Sequence, residues 1–369
     1  MPAKEIKLTR GVPPVESFPI HRLSECATAA LAGYGPDLLQ YGPAGGFRPL
    51  QELLANRAGV AVDRVVLGQG SLLLQDFLAR ALLGPGDLAF VENPTYDRTI
   101  LTLRRPGSTV EGIPMEPDGM AVDYLEARLR GGARPVLVYT IPDFQNPTGS
   151  VLSEAKRRRL VDLAETYGFW IIEDVPYRLL RYRGTDVPAF FDLAPQRVLQ
   201  MSSFSKLIGP GLRVGYVILP DPLAAQFLDF VEKAYICPTY LVQAMVYDFI
   251  QRGWLEENIT QLKALYAPKL DSLLSALDEH FCNLGTWIRP EGGFFVGLTV
   301  TQPLTQPELC QQARQAGITI LDGREFYTDG CGDGFIRLPF TALPIDDLRE
   351  GIARLAEVVR KECHLNPVG

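Results

Sequence analysis

Lysine is scarce in this 369-residue chain, with eight lysines against twenty-eight arginines. Histidine is scarcer still, and the three present, His21, His280 and His364, form neither HExxH nor HxH. The six cysteines (Cys26, Cys237, Cys282, Cys310, Cys331, Cys363) are scattered without a CxxC pair. That spacing excludes a zinc site and a disulfide scaffold, so no metal is expected. No stretch approaches the roughly 18 apolar residues of a membrane span, and the amino terminus MPAKEIKLTRGVPP has no apolar core of signal-peptide length. A basic excess is missing too. The net charge is −7, which argues against nucleic acid or an anionic membrane surface as the main partner, since both want a basic face. What is present is a chain with 47% hydrophobic residues, enough at this length to bury a large core in one to three domains. The expectation is a soluble, reducing-compartment protein, most simply cytoplasmic, with a small-molecule site.

Short β-branched runs alternate with longer stretches whose apolar residues stand three and four apart, the βαβ pattern of a sheet covered on both faces. Strands are expected at Arg64 to Leu67, Leu88 to Glu92, Thr109 to Ile113, Pro135 to Thr140, Phe169 to Glu173, Val198 to Ser202 and Arg213 to Ile218. Helices are expected at Pro49 to Arg57, Ser71 to Leu83, Met120 to Arg130, Ser153 to Tyr167 and Pro222 to Tyr235. After Tyr240 come long helical stretches broken by Pro268. GTWIRPEGGFFVGLTV, GITILDG and GFIRLPFT then read as three short strands around a helix from Leu304 to Ala316, a smaller α+β domain. The division is therefore 1–40 as an amino-terminal segment packing on the small domain and serving as a lid over the site, 41–260 as the large, ligand-binding domain and 261–369 as the small one.

Most lysines (Lys4, Lys7, Lys156, Lys263, Lys269, Lys361) lie in stretches where a solvated surface role is the default. Lys206 does not. It sits in VLQMSSFSKLIGPGLRVGYVIL, in a loop of hydroxyl residues and glycines between two apolar runs. An ammonium there costs desolvation, which pulls its pKa below the ordinary value of about 10.4. A neutral amine is what a Schiff-base nucleophile requires; the plain alternative is a lysine reaching out of a turn. Ser203 and Ser205 precede it and Arg213 follows. Two hydroxyls and a forked guanidinium can hold a phosphate, or simply decorate a turn. Upstream, Gly68 and Gly70 permit a tight turn and Ser71 opens an amphipathic helix, whose free N–H groups favour an anion. For Ser71 the alternative is a simple helix cap.

The segment SFSKLIGPGLRVGYV resembles the lysine motif of the fold-type I, pyridoxal-phosphate-dependent aminotransferases, in particular the aromatic, kynurenine and 2-aminoadipate subgroup and the related MocR effector domains. YGPAGGFRPLQELLA, LGQGS, ENPTYD, PDFQNPTG, IIEDVPY, EGGFFVGL and IRLPF also resemble family motifs, in the family's chain order. The resemblance runs from about Gly11 to the final helix. It implies a three-layer αβα sandwich with a mostly parallel central sheet plus a smaller α+β domain, and pyridoxal 5′-phosphate as cofactor. By the same resemblance Lys206 carries the cofactor and moves the proton. Asp174 holds the pyridine nitrogen protonated, Tyr177 and Asn146 hydrogen-bond the phenolic oxygen, and Tyr96 stacks on the ring. Gly70, Ser71, Leu72, Ser203, Ser205 and Arg213 surround the phosphate. Tyr41 reaches the neighbouring subunit's phosphate, which implies a homodimer. Arg337, inside an apolar run, grips the substrate α-carboxylate. A buried guanidinium without a carboxylate partner is itself an argument for an anionic ligand. Gly11 falls in the segment resembling the substrate lid and is a substrate-binding candidate.

The chain departs from the family twice. Gly70-Ser71-Leu72-Leu73 stands where many relatives have Gly-Ser-Gln-Gln, leaving Leu72 only its backbone for the phosphate. Thr9-Arg10-Gly11-Val12-Pro13-Pro14 stands where Gly-Gly-Leu-Pro is usual. The implied activity is ping-pong exchange of an amino group between an L-amino acid and a 2-oxo acid. A β-lyase or a decarboxylase on the same fold would use the same cofactor residues. A MocR-like ligand-sensing domain would need a basic winged helix, and only ten residues precede Gly11.

Overall fold

Runs rich in valine, isoleucine and aromatic residues become strands because branched side chains pack well on a pleated surface. A computed structural model describes residues 4–301 and 305–365. In chain order its strands are β1 (Ile6–Leu8), β2 (Val65–Gly68), β3 (Leu88–Asn93), β4 (Thr109–Glu116), β5 (Gly119–Met120), β6 (Pro135–Thr140), β7 (Trp170–Asp174), β8 (Val198–Ser203), β9 (Gly215–Ile218), β10 (Gly285–Trp287), β11 (Phe295–Val300), β12 (Ile318–Ile320) and β13 (Phe335–Pro339). The large sheet has the order β2-β9-β8-β7-β6-β3-β4-β5. Its middle, β8-β7-β6-β3-β4, is parallel, while β9 and β5 run antiparallel to their neighbours. Strands β2, β6 and β7 are buried almost end to end, as a sheet covered on both faces requires.

This topology collects chemistry at one edge. Strands β2, β3, β6, β7 and β8 deliver, at or just beyond their carboxyl ends, Ser71, Tyr96, Asn146, Asp174 and Lys206 respectively. The antiparallel β9 begins at that same edge, two residues after Arg213. The carboxyl edge of a parallel sheet is where α/β proteins bind ligands, because each strand there hands over to a loop or to a helix N-terminus.

The smaller lobe differs from expectation in its strands. GTWIRPEGGFFVGLTV carries two, β10 and β11, which pair antiparallel as a hairpin around Pro290-Glu291-Gly292-Gly293. Strand β13 adds to β11. β12 leaves this sheet and pairs in parallel with β1, Ile6 opposite Ile318. The helix expected between these strands is Gln306–Gln315, opened by a reciprocal cap between Thr305 and Glu308; the start expected at Leu304 lies outside the described residues.

Two further corrections concern helices. Pro268 does not break its helix, which runs from Trp254 to Phe281 and passes through the boundary expected at 260/261. A proline inside a helix costs about 3 kcal/mol. Against that, Leu255, Leu262, Leu270, Leu273, Leu274, Leu277 and Phe281 are all buried along this helix, at about 1.5–3 kcal/mol for each full burial. The first forty residues, for which no helix was expected, contain Ile20–Tyr34, which buries Cys26 and Ala30 and packs on the helix Tyr240–Gln251. Lys269, expected in solvent, is buried on the long helix and donates to Thr341 O at 2.7 Å. Burial holds its pKa below the usual lysine range, opposed by Glu16.

Candidate active site

A cavity of about 290 Å³ opens over the carboxyl edge of the sheet. Gly11, Ser71, Leu72, Tyr96, Asn146, Asp174, Tyr177, Ser203, Ser205, Lys206, Arg213 and Arg337 all line it. Of the residues singled out in the sequence, two do not. Gly70 immediately precedes Ser71 at the helix start, and Tyr41 is 75% exposed outside the cavity.

Lys206 follows the end of β8 by three residues, at the start of a tight turn closed by Leu207 and Ile208 N–H donating to Phe204 O. Its Nζ donates to Gly11 O at 3.1 Å and lies 5.4 Å from the Phe294 ring centroid. Burial, reinforced by the positive charges of Arg337 and Arg213 and opposed by Asp174, pushes the amine down to about 8. A neutral amine is thus accessible near neutral pH. Gly11 is pinned in place, since a Cβ there would run into the Phe295 ring.

Asp174 is the last residue of β7 and is buried. Tyr139, near the end of the neighbouring β6, donates from its hydroxyl to Asp174 Oδ2 at 2.7 Å. Oδ1 has no partner although it is buried. Burial pushes this carboxyl up to about 7, while the Tyr139 hydrogen bond and Lys206 pull it down. An unpaired carboxylate oxygen at this depth is a seat for a protonated ligand nitrogen.

Arg337 comes from β13, its guanidinium carbon 4.6 Å from the Phe295 ring centroid and 4.8 Å from that of Phe326. Its Nη1 donates to Asn146 Oδ1 and its Nη2 to Thr9 O, each at 3.0 Å, while Nε is buried without a partner. Among the described residues no carboxylate pairs with it, and burial draws its pKa down. The arrangement offers a planar donor fork to an external carboxylate. Tyr177 lines the same cavity as Asn146, and its phenol is pushed up chiefly by burial and so stays protonated.

The opposite end of the cavity is anion-seeking. The helix Ser71–Leu82 starts there with no side-chain cap on its first-turn N–H groups, so these and the positive dipole end remain for a ligand. Ser203 Oγ lies 2.8 Å from Ser205 Oγ. Arg213 reaches across with Nη2 on Gln69 O at 3.3 Å. Gly70 has a φ of +86°, and a Cβ there would collide with the Arg213 guanidinium; glycine lets the arginine lie over the helix start.

Several residues of the site escaped the sequence. Tyr139 looks like one more core aromatic in VLVYT. Glu92, at the end of FVE, is fully buried and accepts Thr140 Oγ1 at 2.6 Å, Ile141 N at 3.1 Å and Gln145 Nε2 at 3.1 Å. Gln145 also donates to Pro94 O at 2.8 Å and accepts from Thr148 N at 2.9 Å. This knot ties the loop of Tyr96 to the loop of Asn146. Charged or amide residues at the ends of apolar strands are the available signal, because such groups are rarely buried unless paired.

Residues 3–355 match the family model described as aminotransferase class I and II. The aromatic-amino-acid aminotransferase 1 of Thermococcus litoralis is 33% identical over 369 residues, covering 97% of this chain and 88% of the relative. Among solved structures, the multiple substrate aminotransferase of Thermococcus profundus superposes with a TM-score of 0.94 at 32% identity, covering 99% of this chain and 93% of that one. The α-aminoadipate aminotransferase LysN of Thermus thermophilus, complexed with N-(5′-phosphopyridoxyl)-L-leucine, superposes with a TM-score of 0.93 at 28% identity, covering 98% and 94%.

Proposed function

This chain belongs to the aminotransferases of class I and II, and on that premise we propose that Lys206, Asp174, Asn146, Tyr177, Arg213 and Arg337 act as one catalytic site for an L-amino acid and a 2-oxo acid. The protein is a transaminase of fold type I, and its cofactor is pyridoxal 5′-phosphate. The lyase, decarboxylase and ligand-sensing readings are not favoured by relatives that are aminotransferases. One observation carries the residue assignment: a lysine of depressed pKa, an unpaired carboxylate oxygen and a guanidinium with an unpaired Nε converge in a single cavity.

The residues fit the cofactor. Ser71, Ser203, Ser205, Arg213 and the helix start would hold its phosphate, Tyr96 would lie against the ring, and Asp174 Oδ1 would accept from the ring nitrogen. The cofactor supplies an electron-withdrawing ring conjugated to the reacting carbon. Lys206 Nζ would hold it in place and, once free, would move the proton at the substrate Cα. Tyr177 and Asn146 would donate to the ring oxygen, while Asn146 Oδ1 accepts from Arg337 Nη1. Arg337 fixes the substrate α-carboxylate and thereby the direction of the Cα–H bond.

The substrate side chain would meet Gly11, Val12 and Phe295. The cavity's cations, Lys206, Arg213 and Arg337, are all engaged elsewhere, which favours an aromatic or aliphatic donor. The phosphate end is linked through Gln69 Nε2 to Thr239, and Tyr240 OH bonds Pro43 O, two residues beyond the exposed Tyr41. That placement supports closure of the mouth by Tyr41 of a second copy, in a homodimer. Among the described residues no helix is long and apolar enough to cross a membrane.

The test is an amino-donor panel run without acceptor. Stoichiometric conversion of the cofactor to its amino form, fastest with phenylalanine, tyrosine or leucine, is the expected result. Catalytic release of ammonia or carbon dioxide would contradict transamination, and a preference for aspartate or glutamate would contradict the side-chain assignment.

A further inference from the structure

Asp174 is held by a partner that the reaction itself does not require. Tyr139 is completely buried in β6, and its hydroxyl is spent on Asp174 Oδ2 at 2.7 Å. The phenol is kept protonated, pushed well above its ordinary value by burial and then by Asp174, so it can act only as donor in this pair. Thr99 is buried as well, and its hydroxyl donates to Gln75 Oε1 at 3.5 Å. Gln75 and Ser71 are one turn apart on the helix whose start forms the phosphate end. Two buried polar pairs thus flank the cavity, Gln75 with Thr99 on the side of that helix and Tyr139 with Asp174 at the other end.

We propose that Tyr139 is a positioning residue: by occupying Oδ2 it turns Oδ1 of Asp174 toward the cofactor ring nitrogen and keeps the carboxyl ionised there. A carboxylate has two equivalent oxygens and a soft terminal torsion. Pinning one oxygen selects the rotamer in which the other faces the cavity, where it stands unpaired. The inference rests on the reading of Asp174 as the ring-nitrogen partner.

The groups facing Asp174 from the surrounding elements are Lys206, Glu92, Tyr96 and Tyr177 besides Tyr139. Among the described residues, Tyr139 through its hydroxyl and Lys206 through its charge hold the carboxyl down against burial. Removing the hydroxyl therefore moves the protonation midpoint of Asp174 upward. A hydrogen bond to a charged group, lost in a buried site, corresponds to about one to two pH units and about a 10- to 100-fold change in an affinity that depends on it.

The experiment takes apoprotein prepared from the holoenzyme, labelled with ¹³C at aspartate carboxyls, and follows the resonance that Asp174→Asn deletes. In Tyr139→Phe the midpoint should rise by about one unit or more, and the dissociation constant for pyridoxal phosphate should rise about 10- to 100-fold. Replacing Tyr139 by 3,5-difluorotyrosine keeps the ring and the fold while making a stronger donor, and should move the midpoint downward. This second variant decides the matter if the phenylalanine protein does not fold. An unchanged midpoint in the variant that folds overturns the inference, since a merely space-filling ring would not move it. A shifted midpoint with unchanged cofactor affinity overturns the link to the cofactor. If Asp174→Asn itself leaves cofactor affinity intact, it is the assignment of Asp174 that fails.

Discussion

The two ends of the cavity are built on different principles. At the ring end Asp174, Asn146, Tyr177 and Tyr139 are buried, Tyr139 donating to Asp174 and Asn146 accepting from Arg337 within this chain. At the phosphate end Arg213 is exposed, Ser71 is half-buried, and the helix start is open. Burial at the first end shifts proton affinities, taking Asp174 up to about 7 and Lys206 down to about 8. The second end keeps its charge in contact with water, where an ion pair is screened and worth less. Chemistry needs the dry end, because only there does a proton change hands near neutral pH. Anchoring tolerates the wet end, because many modest donors converge on one anion.

The largest break in this contrast is Lys206→Ala. It removes both the covalent anchor and the proton carrier of the dry end, and kcat should fall by about 10⁴-fold or more with cofactor still bound. A variant retaining a tenth of the activity would dismiss Lys206 as the proton carrier. Arg213→Gln strikes the wet end instead. Its exposure limits the effect to about a tenfold rise in the cofactor dissociation constant, with kcat at saturating cofactor nearly unchanged. A comparable loss in kcat would erase the proposed division of labour between the ends.

The smallest expected effect is a pH dependence of the apoprotein, measured as a melting temperature. Glu92 and Asp174 are both pushed up to about 7, by burial first. The folded state therefore binds protons that the unfolded carboxyls have released near pH 4, and stability falls as pH rises from about 4 to about 7. Lys206 has the opposite sign: lowered to about 8 from 10.5, it adds stability as pH rises between those values. The melting temperature should drop between about pH 5 and 7.5, and bound cofactor should blunt the drop by pairing Asp174. A flat or rising profile over that interval would show that these carboxyls do not carry protons in the folded apoprotein.

Much of the fold was legible in periodicity. β6 occupies the expected Pro135–Thr140, and β3, β7 and β8 match to within a residue or so, because a strand buried on both faces leaves an unbroken apolar run. The small lobe was harder. Its strands are short, and β12 pairs with β1 more than three hundred residues away, a partnership no local pattern encodes. Pro268 misled for a related reason: a local rule predicts a break, and the summed burial of distant contacts overrides it. The site residues nearest the reacting atoms were visible because lysine, aspartate and arginine inside apolar runs are costly and therefore conspicuous. Tyr139 and Lys269 were not, since a tyrosine in a strand and a lysine in a helix look ordinary until their partners are known.

By itself the sequence determined the alternating α/β plan, the one lysine placed where its charge is unwelcome, and the arginine set in an apolar strand, because each is a statement about a residue and its immediate neighbours. Tertiary structure alone decided that Thr9 O occupies Arg337, that Gly11 O meets Lys206, that Glu92 ties two loops together and that Tyr139 takes one oxygen of Asp174. These are pairings across long stretches of chain. A hydrogen bond depends on distance and direction in space, and only the packed sheet edge, where several strands end side by side, brings such partners within 3 Å or so of each other.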